Sequence, residues 1–219
     1  LQVLESALTR EKGRTANLYI LLAGIYQFMG QKEQCRKTFL RALDAYPENE
    51  QVLYEYGLFQ DYIGEQHAAL KTMKRIIIMN PDHAGALNYV GYTWADKKEN
   101  LEKALQYISR AVELKPDNGY IRDSLGWVYY QSGEYEKARD SLEMAVELAP
   151  DDPAILDHLA EIYLALKQPE KAKAAWRKAL DLYKVYKKEQ KKPVGKGDDD
   201  QERKRILKKI NRLEQGENE

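Results

Sequence analysis

The chain has 219 residues, and its 35 lysines and arginines are balanced by 35 aspartates and glutamates. That balance argues against a general binder of nucleic acid or anionic membrane, which carries a large basic excess. No stretch approaches the roughly 18 consecutive apolar residues that a membrane span needs, and Cys35, the single cysteine, has no partner for an intrachain disulfide.

Taken in chain order, Leu1, Leu4 and Leu8 with Ala7 predict a trailing helix within residues 1–15 that lacks a leading partner. The expectation is a truncated repeat whose first helix, with any targeting or lipid signal, lies upstream. Pro47, Pro81, Pro116 and Pro150 then fall 34, 35 and 34 residues apart. A fixed period of this size marks one supersecondary unit stacked on itself. With each proline at position 32, the units cover residues 16–49, 50–83, 84–118, 119–152 and 153–190, and the third holds one extra residue near 97–100.

Each recurrent position has a physical reason. Position 8 is Ala23, Gly57, Gly91, Gly126 and Ala160, and position 20 is Cys35, Ala69, Ala104, Ala138 and Ala172. Small residues there let two helices of one unit approach closely. Position 24 (Phe39, Met73, Ile108, Leu142, Trp176) and position 28 (Leu43, Ile77, Val112, Val146, Leu180) form an apolar stripe at helical spacing. Gly30, Gly64 and Gly133 stand where the first helix must stop and turn. The prolines stop the second helix.

This pattern resembles the tetratricopeptide repeat (TPR) family, from Ala16 to about Tyr183. Position 4 departs from the family's tryptophan, being Tyr19, Leu53, Leu87, Arg122 and Leu156, and the last unit lacks the turn glycine and the closing proline. The resemblance implies an all-α fold: a right-handed α-solenoid of about five TPR helix pairs, with an N-terminal half repeat. After the fifth repeat and its extended second helix, residues 191–200 read as a polar linker. Residues 201–215 read as a capping helix with a narrow stripe of Ile206, Leu207, Ile210 and Leu213. The basic run Arg203-Lys204-Arg205 and Lys208-Lys209, interleaved with Glu202 and Glu214, reads as the solvated face of that cap.

The family lines its concave surface with positions 2, 5, 9, 12 and 13. Carried over, these give a peptide-binding set of Tyr54, Tyr62, Asn88, Tyr92, Asp96, Tyr120, Asp123, Trp127, Tyr130, Asp157 and Glu161. Tyrosine and tryptophan are common interface anchors, and 16 tyrosines against 3 phenylalanines fit rings that bury their bodies and keep their hydroxyls wet. Trp94 and Tyr129, at position 11, read instead as packing on the neighbouring helix. Asp123 and Asp157 share position 5 one unit apart, so they form a ladder of like charge that calls for a cation or donor. Position 5 holds no lysine, so the family's carboxylate clamp is absent.

Chemistry is sparse. His67, His83 and His158 occupy different repeat positions, so no metal cluster is implied. No nucleophile elbow, phosphate loop or helical zinc motif occurs. The expectation is no enzyme, cofactor or metal. Residues 88–96, 123–129 and 157–163 are similar to the C-terminal repeats of bacterial TPR lipoproteins that face the periplasm. One of these is an adaptor that delivers cell-wall hydrolases to a processing protease. The resemblance implies a scaffold for a protein or peptide ligand, in the periplasm rather than the cytoplasm, with no direct membrane insertion. The alternative is a self-associating assembly scaffold, a homo-oligomer.

Overall fold

A computed structural model of the chain describes residues 2–9, 15–189 and 199–215, and every regular element among them is a helix. In order these are α1 (Gln2–Thr9), α2 (Ala16–Phe28), α3 (Lys32–Ala45), α4 (Glu50–Tyr62), α5 (Gln66–Met79), α6 (Ala84–Asp96), α7 (Leu101–Leu114), α8 (Gly119–Gln131), α9 (Tyr135–Leu148), α10 (Pro153–Ala165), α11 (Pro169–Glu189) and α12 (Asp199–Glu214). Two compact units divide the chain, one up to Tyr89 and one from Val90 onward.

The starts of α2, α4, α6, α8 and α10 share one device. The residue before each helix lends a side-chain acceptor to an otherwise unpaired backbone N–H of the first turn. Thr15 accepts from Leu18, Asn49 from Val52, Asn118 from Ile121, and Asp152 from Ala154 and Ile155. Before α6 the acceptor is His83 Nδ1, 3.0 Å from the Ala86 nitrogen. Each such cap contributes about 1 kcal/mol.

The ends of the same five helices also close alike. In the first, the Gln31 N–H donates to the Tyr26 carbonyl at 2.9 Å and the Gly30 N–H to Gln27 at 3.0 Å. This pair of bonds satisfies carbonyls that the helix leaves free. It needs a left-handed residue, supplied by Gly30, Gly64 and Gly133 at φ 71°, 89° and 79°. Where glycine is missing, Lys98 (φ 55°) and Lys167 (φ 57°) take the same conformation and make the same bonds. In the third repeat a second left-handed residue follows, Asn100 at φ 48°. The extra residue is thus absorbed in the turn, and α7 begins at Leu101.

In the first unit, α2 packs on α3 and α4 on α5. Leu8, Tyr19, Leu22, Ala42 and Val52 form one core cluster, and Ala23, Cys35, Phe39 and Phe59 another. Cys35 fills a sealed slot, and burial pushes its thiol up to about 11 against the pull of Arg36. In the second unit Ala138, Leu142, Ala145, Ile155, Leu159 and Ile162 join α9 to α10. Close approach of α8 to α9 depends on Gly126, where a Cβ would lie 2.4 Å from Leu142 Cδ1 and 3.1 Å from the Ala138 carbonyl. Beyond them, Trp176 and its neighbours on α11 receive Ile206 and Ile210 of α12.

Most of the linker expected over residues 191–200 lies outside the described residues. Its last two residues belong to α12, which starts at Asp199 rather than at residue 201. Acidic residues are favoured in a first turn because they face the positive end of the helix dipole.

Candidate functional site

The candidate ligand residues divide between the two units. Tyr54, Tyr62 and Asn88 lie in the first, and the rest in the second. Tyr54 is half-buried with its ring 5.0 Å from that of His83. Tyr62 is exposed, with Lys32 over its ring. Asn88 keeps its Oδ1 buried and without a hydrogen-bond partner.

The second unit builds the denser arrangement, on a face formed by α8 and α10. Asp123 and Asp157 start from equivalent positions on these helices and are both buried. Each meets donors from this chain itself. Asp123 Oδ1 lies 2.8 Å from His158 Nδ1. Burial pushes the His158 imidazole down, but the charge and hydrogen bond of Asp123 outweigh it, and its pKa ends above the usual histidine range. Asp157 accepts from the Trp176 indole N–H at 2.7 Å, from Lys209 at 2.8 Å and from Arg205. Burial pushes its carboxyl up, yet Lys209 and Arg205 together hold it below the ordinary carboxylate range. The cation or donor that the charge ladder calls for is thus supplied from within the chain. Glu161, one turn along α10, also meets Lys209.

Beside the carboxylates runs a stack of rings. His158 lies 4.4 Å from Trp127 at an interplanar angle of 23°, Trp127 lies 5.0 Å from Tyr130 at 22°, and Tyr130 contacts Tyr135. Trp127 and Tyr130 are half-buried, so each still offers part of its surface. The Trp127 indole N–H is buried without a partner. Tyr92 is half-buried, and burial, reinforced by Asp123 and Asp96, raises its hydroxyl well above the usual value. Tyr120 and Asp96 are exposed. Trp94 is buried against Tyr107, and Tyr129 lies under the Lys137 ammonium.

Reasoning from the sequence missed His158, Trp176, Arg205 and Lys209. The cap was expected to present its basic run to solvent. Instead Lys209 is largely covered, and Arg205, though half exposed, is bonded to Asp157. The available signal was spacing: Arg205 and Lys209 are four apart, hence on one helix face, as are Asp157 and Glu161. Among the described residues, no group of three His, Cys, Asp or Glu side chains is placed to share a metal ion. No helix among them is long and apolar enough to cross a membrane.

Comparison with known proteins agrees with this architecture. Three tetratricopeptide repeat family models match, at residues 93–161, at 16–49 and 154–186, and at 62–119. A TPR repeat-containing protein of Pseudomonas aeruginosa is 31% identical over 133 residues, which are 61% of this chain and 22% of that protein. A biofilm formation methyltransferase of Pseudomonas putida is 38% identical over 69 residues, 31% of this chain and 16% of that protein. The chain therefore spans no more than about a fifth of the curated relatives it matches. Among solved structures, a thermophilic TPR protein of Thermus thermophilus superposes with a TM-score of 0.64 at 26% identity, over 77% of this chain and 91% of that one. A tetratricopeptide repeat protein of Parabacteroides merdae reaches a TM-score of 0.72 at 19% identity, over 99% of this chain and 79% of its own. MamA of Desulfovibrio magneticus reaches 0.63 at 19%, over 78% and 96%. The last two likenesses speak to the fold alone. With family models spread from residue 16 to residue 186 and a solenoid fold shared with solved TPR proteins, this chain belongs to the tetratricopeptide repeat family.

Proposed function

We propose that this chain is a non-enzymatic scaffold, with repeats starting at residues 16, 50, 84, 119 and 153, that binds an extended or helical segment of a partner protein. In the second unit the contact surface is Tyr92, Asp96, Tyr120, Trp127 and Tyr130, with Asp123 held behind it. The observation that carries this reading is the ring stack of His158, Trp127 and Tyr130. It fixes a large, partly open aromatic surface beside polar groups, and such residues dominate binding energy at interfaces. Tyr54, Tyr62 and Asn88 are proposed as contacts of the first unit. The similarity of residues 88–96, 123–129 and 157–163 to bacterial TPR lipoproteins supports a finer reading, an adaptor in the bacterial envelope.

The test is a peptide library displayed on phage and selected on the immobilised chain, followed by titration of a synthetic consensus peptide. Trp127→Ala is expected to weaken binding at least tenfold while the thermal melt stays within about 2 °C. Equal binding by parent and variant sinks the assignment.

One observation favours self-association as a second reading: Phe28 is 93% exposed and Leu21 54%, one face of α2 presenting both. Light scattering from micromolar to millimolar protein decides it, a single monomer mass throughout being incompatible with assembly.

A further inference from the structure

The middle turns of α12 meet α10 and α11 through two kinds of side chain. Ile206 and Ile210, four residues apart, are buried in the cluster that holds Trp176, Ala179, Leu180 and Tyr183 of α11. Arg205 and Lys209, also four apart and each immediately before an isoleucine, reach α10. There Lys209 bonds Asp157 at 2.8 Å and pairs with Glu161, while Arg205 takes the other oxygen of Asp157. Asp157 and Glu161 are themselves four apart. Two carboxylates in line on one helix thus face two cations in line on another, next to an aliphatic pair on an apolar floor.

This seat specifies its occupant. Asp157 is 4% exposed. A carboxylate that deep is costly to leave ionised without cations, so whatever covers the α11 floor here must bring positive charge to α10. The recognition elements of α12 centre on two cations and two isoleucines within residues 205–210, flanked by Leu213, which packs on the same cluster, and Glu214, which meets Arg177 of α11 at 3.3 Å. Its other cations, Arg203, Lys204, Lys208 and Arg212, take no part in these contacts, and Arg203 pairs with Asp200 of its own helix. So short a set of contacts can be reproduced by another helix with the same spacing.

We infer that the seat on α10 and α11 is a docking site for a basic amphipathic helix of a partner protein, one carrying two cations four residues apart beside an aliphatic pair, and that α12 competes with that partner by occupying the seat in cis. The inference rests on the scaffold reading above and names the chemistry of a partner and a means of regulation. A tethered helix has an effective concentration in the millimolar range, so the free partner must outbind α12 or meet a chain whose α12 has been released.

The experiment uses the full chain and a fluorescein-labelled synthetic peptide of residues 199–215, read by fluorescence anisotropy. Two full-chain variants release α12: Ile206→Glu with Ile210→Glu, which removes its grip on the floor, and Arg205→Ala with Lys209→Ala, which removes its grip on the carboxylates. The first is expected to bind the peptide at least tenfold more tightly than the parent, and the second at least threefold. A peptide carrying Arg205→Ala and Lys209→Ala is expected to bind either variant at least tenfold more weakly than the parent peptide. If the isoleucine variant loses helix by circular dichroism, the second variant decides alone. Equal affinity of parent and released chains, equal affinity of the two peptides, or no binding at millimolar peptide each overturns the inference. These readings do not involve Trp127. Loss of the Trp127-dependent partner with the peptide results intact would therefore overturn the scaffold surface and leave the seat standing.

Discussion

Replacing Asp157 by alanine removes the one acceptor that three donors share. The Trp176 side chain is fully buried, and its indole N–H would lose its acceptor, Asp157 Oδ1 at 2.7 Å. A buried donor stranded in this way costs about 1–3 kcal/mol. Arg205 and Lys209 are treated differently. The Arg205 side chain is 55% exposed, and Lys209 keeps Glu161, so both cations relax toward water or a second acid instead of staying stranded. The 3–5 kcal/mol typical of breaking a fully buried pair is therefore a ceiling, and each ion pair adds about 0–1 kcal/mol. The sum is about 1–5 kcal/mol, concentrated where α12 docks. Repeat arrays melt piecewise and not all at once, so the assay is hydrogen exchange resolved by segment. At about 1.4 kcal/mol per tenfold, protection of the α11 and α12 amides should fall roughly 5- to 4,000-fold, with α2–α5 unchanged. Asp157→Asn keeps an oxygen for the indole and should lose much less. Because the folded carboxyl is held below its unfolded value of about 3.9, the contribution is present above that pH and is lost as pH falls through the folded value. Protection of α12 should be flat from pH 7 to pH 5 and then decline. If Asp157→Ala leaves α12 within threefold of the parent, Asp157 does not hold the helix.

Three further outcomes are expected. Along the first helices, alanine should change sign with the space available. Gly24→Ala, with nothing within 4 Å, gains about 0.5–1 kcal/mol of helix propensity. Gly126→Ala, meeting Leu142 and the Ala138 carbonyl, loses about 1–2 kcal/mol net, and Gly126→Leu more; equal signs in urea denaturation would refute the packing argument. Lys167→Gly should stabilise the chain by about 0.5–1 kcal/mol, since the turn already demands a left-handed residue, and a lower urea midpoint would contradict this. The raised His158 pKa makes its pairing with Asp123 a contribution that is full below about pH 6.5 and is lost as pH rises through the folded value. The stability gap between parent and His158→Gln should therefore be wider at pH 5.5 than at pH 9, and a constant gap refutes the ion pair.

The sequence by itself determined the unit and its stacking. Proline at a 34-residue period, small residues such as Gly126 and Ala138 where helices touch, and large ones such as Phe39 and Trp176 at the seam are local, periodic properties, and periodicity survives in one dimension. The caps at Thr15, Asn49, His83, Asn118 and Asp152 follow the same period and are equally legible in the sequence. Only the tertiary structure decided what answers the buried charges. Asp157 meets Arg205 and Lys209 across 48 and 52 residues, and Trp176 across 19. A helical pattern says which side chains share a face, not which distant helix that face will meet. The basic run of α12 reads as solvated until the helix is seen lying beside α10, because the energy of a charge is set by its surroundings and those exist only in the fold.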